Sequence, residues 1–249
     1  MTVVHPLIAL QRRVRVDGSQ PGLTWIGPEG ERIELSLASL WNYACKAANL
    51  LGGELEVEPG DALCINLPRH WQTAGLVLGA WAVGAVITDG ECVCCVTTTA
   101  AAAAVAPGTT AVLATSLDAL GAPSREPLPA GVLDVGRELR MQPDALAIAT
   151  DWQDTASAVF IGNKAWTFAE LFRGQLPTAA GLAPENSGEI VNVRTGMSAS
   201  FAVGSVLPTT IDVQFLHQVV QMCNSGSLVI APDPSDPKVT TQERIDVWV

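Results

Sequence analysis

Positive charge is scarce in this chain. Lys and Arg total 14 against 25 Asp and Glu, a formal net charge of −11. That balance denies nucleic acid the positive face its phosphates require, and it argues equally against an anionic membrane surface. The acidic runs are short, which suits a solvated surface better than an interaction tail. Aromatic residues are 5% of the chain, with one Tyr and five Phe. Ala and Gly are plentiful instead, which favours closely packed helices and sheets. The unbroken apolar run 74–87 is shorter than the roughly 18 residues a membrane span needs. A secretory leader is not expected, because the first apolar run, 3–10, is broken by His5 and Pro6 and followed by Arg12 and Arg13. Residue 2 is Thr and the last five residues hold no cysteine, so no lipidation signal is expected. The cytoplasm is the expected compartment. Six cysteines, at 45, 64, 92, 94, 95 and 223, do not space like a disulfide framework and are read as free thiols. Neither GxSxG nor GxGxxG occurs.

What the chain does have is concentrated in residues 57–87. Pro59-Gly60-Asp61 signals a turn. Residues 62–67 are apolar except Asn66 and are bounded by Asp61 and Pro68, which suits a strand buried on both faces of a parallel sheet. From His70 to Val83 the only clearly polar side chains are His70, Gln72 and Thr73, so the segment reads as a buried helix. Gly75 and Gly79 are expected to let it lie close to a sheet. Gly84 caps it, and residues 85–87 begin another strand. Strand, helix and strand in this order make a right-handed βαβ unit.

Around this unit the pattern predicts α/β architecture. A first helix is expected over 5–14, a hairpin from 23–26 and 32–35, and a helix after Ser36. Strands follow at 92–96 and 111–114, with an alanine-rich helix over 98–105 between them. The proline-rich stretch 121–131 is the best linker. Beyond it, 132–140 reads as helix and 155–161 as strand. Thr167 and Glu170 form a capping box, and Pro177 should end or kink the helix they open. Further elements are a strand at 189–193, a helix at 211–223, a strand at 227–231 and a start of structure over 242–249. The two halves echo each other. Ser36-Leu-Ala-Ser-Leu40 parallels Thr167-Phe-Ala-Glu-Leu171, and Gly84-Ala-Val-Ile87 parallels Gly226-Ser-Leu-Val-Ile230. All βαβ units share some of this pattern. The common order favours two pseudo-related lobes of mostly parallel sheet flanked by helices: 1–122, a linker at 123–131, and 132–249.

Few residues carry chemistry. Arg69 and His70 follow a strand's carboxyl end, where α/β sheets place ligands, so they are candidates to line a pocket; the alternative is a helix N-terminus facing solvent. Cys92, Cys94 and Cys95 lack companions for a metal site, and none is expected. His217 reads better as a satisfied helix histidine than as a base. Residues 196–200 are a faint candidate for an anion-binding turn.

One resemblance gathers these features. The segments Leu35-Ser-Leu-Ala-Ser-Leu40, Lys46-Ala-Ala-Asn49-Leu-Leu51, Val57-Glu-Pro-Gly-Asp61 through Leu67-Pro68, and Gly79-Ala-Trp-Ala-Val-Gly84-Ala-Val86 resemble the opening of the adenylate-forming superfamily, which includes the AMP-binding acyl-CoA synthetases. The likeness spans about 22–90 and continues more loosely through 166–171 and 223–230. It is closer still to a short actinobacterial family related to acyl-CoA synthetases. The resemblance implies a layered α/β fold. It also implies a phosphate loop of the type [ST]GTTGxPKG, and at that place this chain has Phe160-Ile-Gly-Asn-Lys-Ala165. Lys164 is therefore the candidate phosphate ligand, against the alternative of a surface lysine. The family's YGxTE motif, ribose-binding aspartate and catalytic C-terminal lysine have no counterpart in this sequence. The expectation is a chain with no catalytic residues and no cofactor. It would bind an unidentified protein or a second copy of itself, with a small-molecule groove between lobes near Arg69, His70 and Lys164. The competing expectation is a divergent enzyme or nucleotide- or acyl-binding protein with residual ATP or AMP binding.

Overall fold

A computed structural model describes residues 4–105, 109, 111–148, 151–174, 187–191, 198–202, 213–232 and 237–243. In chain order the helices and strands are α1 (Pro6–Asp17), β1 (Pro21–Ile26), β2 (Arg32–Ser36), α2 (Leu37–Ala48), β3 (Ala62–Asn66), α3 (Trp71–Ala82), β4 (Val86–Thr88), β5 (Cys94–Thr98), β6 (Ala111–Thr115), β7 (Val132–Asp134), α4 (Val135–Met141), β8 (Ser157–Ile161), β9 (Lys164–Thr167), α5 (Phe168–Phe172), β10 (Ser187–Val191), β11 (Ser198–Ala202), α6 (Val213–Asn224), β12 (Leu228–Ile230) and α7 (Pro237–Gln242). The fold is α/β, as expected.

Among the described residues the strands form three sheets. The largest has seven strands in the order β7-β6-β5-β3-β4-β8-β9, and the others are β12-β1-β2 and β10-β11. In the large sheet every pairing is parallel except the β8–β9 hairpin. The expected division at 123–131 does not coincide with a break between sheets. β7, β8 and β9 lie beyond it in sequence yet extend the sheet built by β3 to β6, and β1 pairs in parallel with β12 through Leu23↔Leu228. One apolar core runs from Leu7 to Ile230.

The unit at 57–87 is the centre of this core. All twelve residues of α3 are buried. Trp81 is fully buried and its indole N–H donates to the Ala158 carbonyl at 3.1 Å, tying α3 to β8. Gly75 and Gly79 do not face a sheet. A Cβ on Gly75 would run into the Tyr43 ring, and one on Gly79 into Ala47, so both glycines admit α2 instead. The motif residues at 57–61 and 84 lock one another. The Gly60 amide donates to the Gly84 carbonyl at 2.8 Å, Asp61 Oδ2 accepts from the Glu58 amide at 2.9 Å, and Gly84 turns at φ +80 against Pro59. Asn49, 4% exposed, donates to the carbonyls of Pro143 and Ala145 and accepts from the Ala147 amide at 2.8 Å. That one side chain holds the segment after α4 against the end of α2.

Several boundaries differ from expectation. β5 continues to Thr98, and the alanine run after it makes only a short 3-10 turn at Ala102–Ala104. Val132–Asp134 is a strand, and the helix starts after it, with Asp134 as N-cap accepting from the Arg137 amide at 3.0 Å. Pro177, residues 196–197 and the stretch 244–249 lie outside the described residues.

Candidate functional site

Strands β3, β4, β5 and β8 run parallel, so their carboxyl ends share one edge of the sheet. In open α/β sheets ligands settle at that edge. It gathers Asn66 to His70 after β3, Thr88 to Glu91 after β4, Thr98 and Thr99 at the end of β5, and the β8–β9 turn. The groups available are hydroxyls, an amide, a guanidinium, an ammonium, the Asp89 and Glu91 carboxylates and the His70 imidazole.

The three residues expected to share a pocket differ in exposure. Arg69 is half-buried. His70, by contrast, is 3% exposed and is the N-cap of α3, its Nδ1 accepting from the Gln72 amide at 3.2 Å. The ring lies edge-on to Trp25 and beside Trp71. Burial pushes its pKa down to about 4, although the nearby Asp118 carboxylate pulls the other way. His5 repeats the arrangement at α1. Its Nδ1 accepts from the Leu7 amide at 3.3 Å, its ring meets Phe168 edge-on, and burial pushes its pKa down to about 3. Both imidazoles are neutral core caps near pH 7. Lys164 is exposed, with its ammonium 4.8 Å over the Trp166 ring. His217 is half-buried, and its Nδ1 donates to the Leu171 carbonyl. Burial lowers its pKa too.

The place of the expected phosphate loop is a tight hairpin. Ile161 and Lys164 are register partners, and only Gly162 and Asn163 lie between them. Gly162 takes φ +61, the glycine-first pattern of a type II′ turn. Its amide donates to Asp89 Oδ1 at 3.3 Å. A single amide aimed at a carboxylate is the reverse of a loop presenting several amides to an anion. Sequence reading missed Asp89, whose only signal is a polar residue directly after a short apolar strand.

The cysteines are not all free. Cys64 on β3 and Cys92 in the β4–β5 loop are paired as a disulfide, Cα atoms 5.9 Å apart, which corrects the expectation of six thiols. Cys45, Cys94, Cys95 and Cys223 are free and buried. Burial raises all four thiols, Cys94 and Cys223 to about 12. Among the described residues no group of three or more His, Cys, Asp or Glu could hold a metal, and no helix is long and apolar enough to cross a membrane.

No family model matches the chain. A Mycobacterium tuberculosis protein whose name carries a family designation rather than an activity is 38% identical over 146 residues, 55% of this chain and 60% of that protein. The human mitochondrial acyl-coenzyme A synthetase ACSM5 is 28% identical over 89 residues, 34% of this chain and 15% of that enzyme. The matches thus span less than two thirds of either relative. Among solved structures, a Brucella canis acyl-CoA synthetase aligns over 92% of this chain and 43% of its own, with a TM-score of 0.66 at 15% identity. The anthranilate CoA ligase AuaEII, solved with anthranoyl-AMP, aligns over 63% of this chain and 31% of its own, with a TM-score of 0.51 at 15% identity. These likenesses establish the fold.

Proposed function

We propose that this chain, a relative of the adenylate-forming ligases in sequence and fold, is a binding or protein-interaction module that does not adenylate. The observation carrying this reading is the hairpin at Ile161–Lys164, where two residues replace a phosphate-cradling loop. Adenylation holds phosphates and a carboxylate in line, and that positioning supplies most of the rate. The motifs shared with the ligases support the same reading. Asn49, Asp61 and Gly84 are consumed in holding loops and a turn of the scaffold. The partner is a protein surface or a second copy of the chain, in keeping with the net charge of −11, which disfavours nucleic acid and anionic membranes.

The test is pyrophosphate release from the full chain with ATP, Mg²⁺ and a panel of carboxylic acids. No release above background is expected. Release that Lys164→Ala abolishes overturns the proposal and establishes the enzyme. Thermal shift with ATP, AMP and acyl-CoA reads the weaker alternative of residual binding. A flat response supports the module; a saturable rise overturns its nucleotide-free form.

A further inference from the structure

Cys64 has two sulfurs within reach of its strand. Cys95 is its register partner on β5 and points to the same face of the sheet, with backbones about 4.8 Å apart. The bond nevertheless goes to Cys92, 28 residues along the chain. A Cys64–Cys95 bond would join strands that already share a hydrogen-bond ladder. The bond to Cys92 fastens a loop to the sheet instead. Cys95 remains a thiol, its sulfur 3.6 Å from the Asn66 Nδ2 that donates to it.

The fastened loop reaches the β8–β9 hairpin. Thr88 Oγ1 accepts from the Gly90 amide at 3.1 Å, and Asp89 Oδ1 accepts from the Gly162 amide at 3.3 Å. Within five residues, then, the chain touches β3 through a sulfur and the Gly162-Asn163 turn through a carboxylate. Access to the sulfurs is one-sided. Cys64 is 6% exposed and Cys95 2%, whereas Cys92 is half-buried between exposed Glu91 and Val93. A thiolate arriving from solvent meets the bond at Cys92.

We propose that Cys64–Cys92 is a redox-active site, reduced by a dithiol, and that reducing it releases the 89–93 loop and loosens the hairpin that carries Lys164. The reductant's thiolate attacks Cys92 Sγ. The sulfur–sulfur bond breaks and its electron pair leaves on Cys64 Sγ, which takes a proton. The reductant's second thiol then attacks the mixed disulfide, freeing the Cys92 thiol and leaving the reductant as a disulfide. Two electrons and two protons pass to the protein. The site differs from a staple between paired strands because what it holds is a loop, and that loop holds a turn.

Alkylation of the denatured, unreduced full chain is expected to label four of the six cysteines, with peptide mapping joining 64 to 92. Hydrogen exchange is then compared before and after dithiothreitol. Amide exchange across 161–164 is expected to quicken roughly fivefold on reduction, as for loss of one hydrogen bond. Cys92→Ser should reproduce that rate without reductant. Asp89→Ala should reach it with the disulfide intact, and Cys95→Ser should leave the oxidised rate unchanged. Six labelled cysteines, or a mapped pair whose reduction leaves 161–164 unchanged, overturns the proposal. Neither result depends on whether the protein binds a ligand, so it stands or falls separately from the functional reading.

Discussion

The His70 ring meets the Trp25 indole edge-on, centroids 4.4 Å apart and planes at 66°. Through this contact the N-cap of α3 is also the point where α3 touches β1. Removing the ring therefore loses a cap and an aromatic contact together. His70→Ala is expected to cost about 1–3 kcal/mol of unfolding free energy. His70→Asn, which keeps a side-chain acceptor, should recover part of that. Urea melts of the three proteins decide it; equal stability of Ala and Asn variants would deny the cap its role.

The buried histidines also set a pH dependence. Folding lowers His70 to about 4 and His5 to about 3 from an ordinary 6.5. Below 6.5 the unfolded chain binds protons that the folded chain refuses. The stability these rings contribute is therefore full above pH 6.5 and is lost as pH falls toward their folded values, on the order of 3 kcal/mol for His70. Asp118 and Glu170, both lowered from 3.8 and 4.5 first by backbone hydrogen bonds, act at lower pH. Midpoints of urea unfolding should fall steadily from pH 6.5 to 4.5, and less steeply in His70→Gln. A flat profile over that window contradicts the buried neutral state.

The α2–α3 contact depends on two missing side chains. Gly79→Ala forces a methyl onto Ala47 and the α2 backbone, at an expected cost of about 1–3 kcal/mol. Gly53 has open space at its Cβ position, so Gly53→Ala should be neutral or slightly stabilising, by up to about 1 kcal/mol. Thermal unfolding of the two variants side by side separates packing from backbone effects.

Arg32 makes one ion pair of each kind. It forks to Glu243 at 2.7 and 2.8 Å, a carboxylate side chain only 5% exposed, and also meets exposed Glu34 at 2.7 Å. Arg32→Ala leaves the Glu243 carboxylate buried without this guanidinium, an expected loss of about 2–3 kcal/mol, below the fully buried case because Arg32 is partly exposed. Glu34→Ala should cost less than about 1 kcal/mol. Comparable losses in chemical denaturation would mean that burial of Glu243 is immaterial.

The sequence made the central unit legible because each signal there is local. A turn, a short apolar run, a polar-poor helix and a capping glycine act within a few residues of one another. The capping box of Thr167 and Glu170 was legible for the same reason. What escaped was set across the sheet. Val132–Asp134 is a strand because Val112 to Ala114 pair with it, not because of its own residues. The alanines at 102–104 fail to extend a helix because β5 uses the chain as far as Thr98 to pair with Thr115. Cys92 finds Cys64 through register and loop path, which spacing along the chain does not encode. At the candidate site, the core placement of His70 was not readable. A histidine after a strand looks alike in sequence whether its ring faces solvent or a tryptophan on another sheet.

The β1–β12 pairing has a consequence for how the protein is made. Leu23 to Trp25 leave the ribosome well before their partners, Leu228 to Ile230, are made. At roughly 5–20 residues per second, translation separates the two by tens of seconds. Through that interval β1 can fold onto β2, but its other edge stays open while the chain is still on the ribosome. The nascent chain thus carries an exposed Leu-Thr-Trp edge that only its own distant segment completes. Holdase chaperones should be needed during synthesis, even though the finished sheet hides that edge.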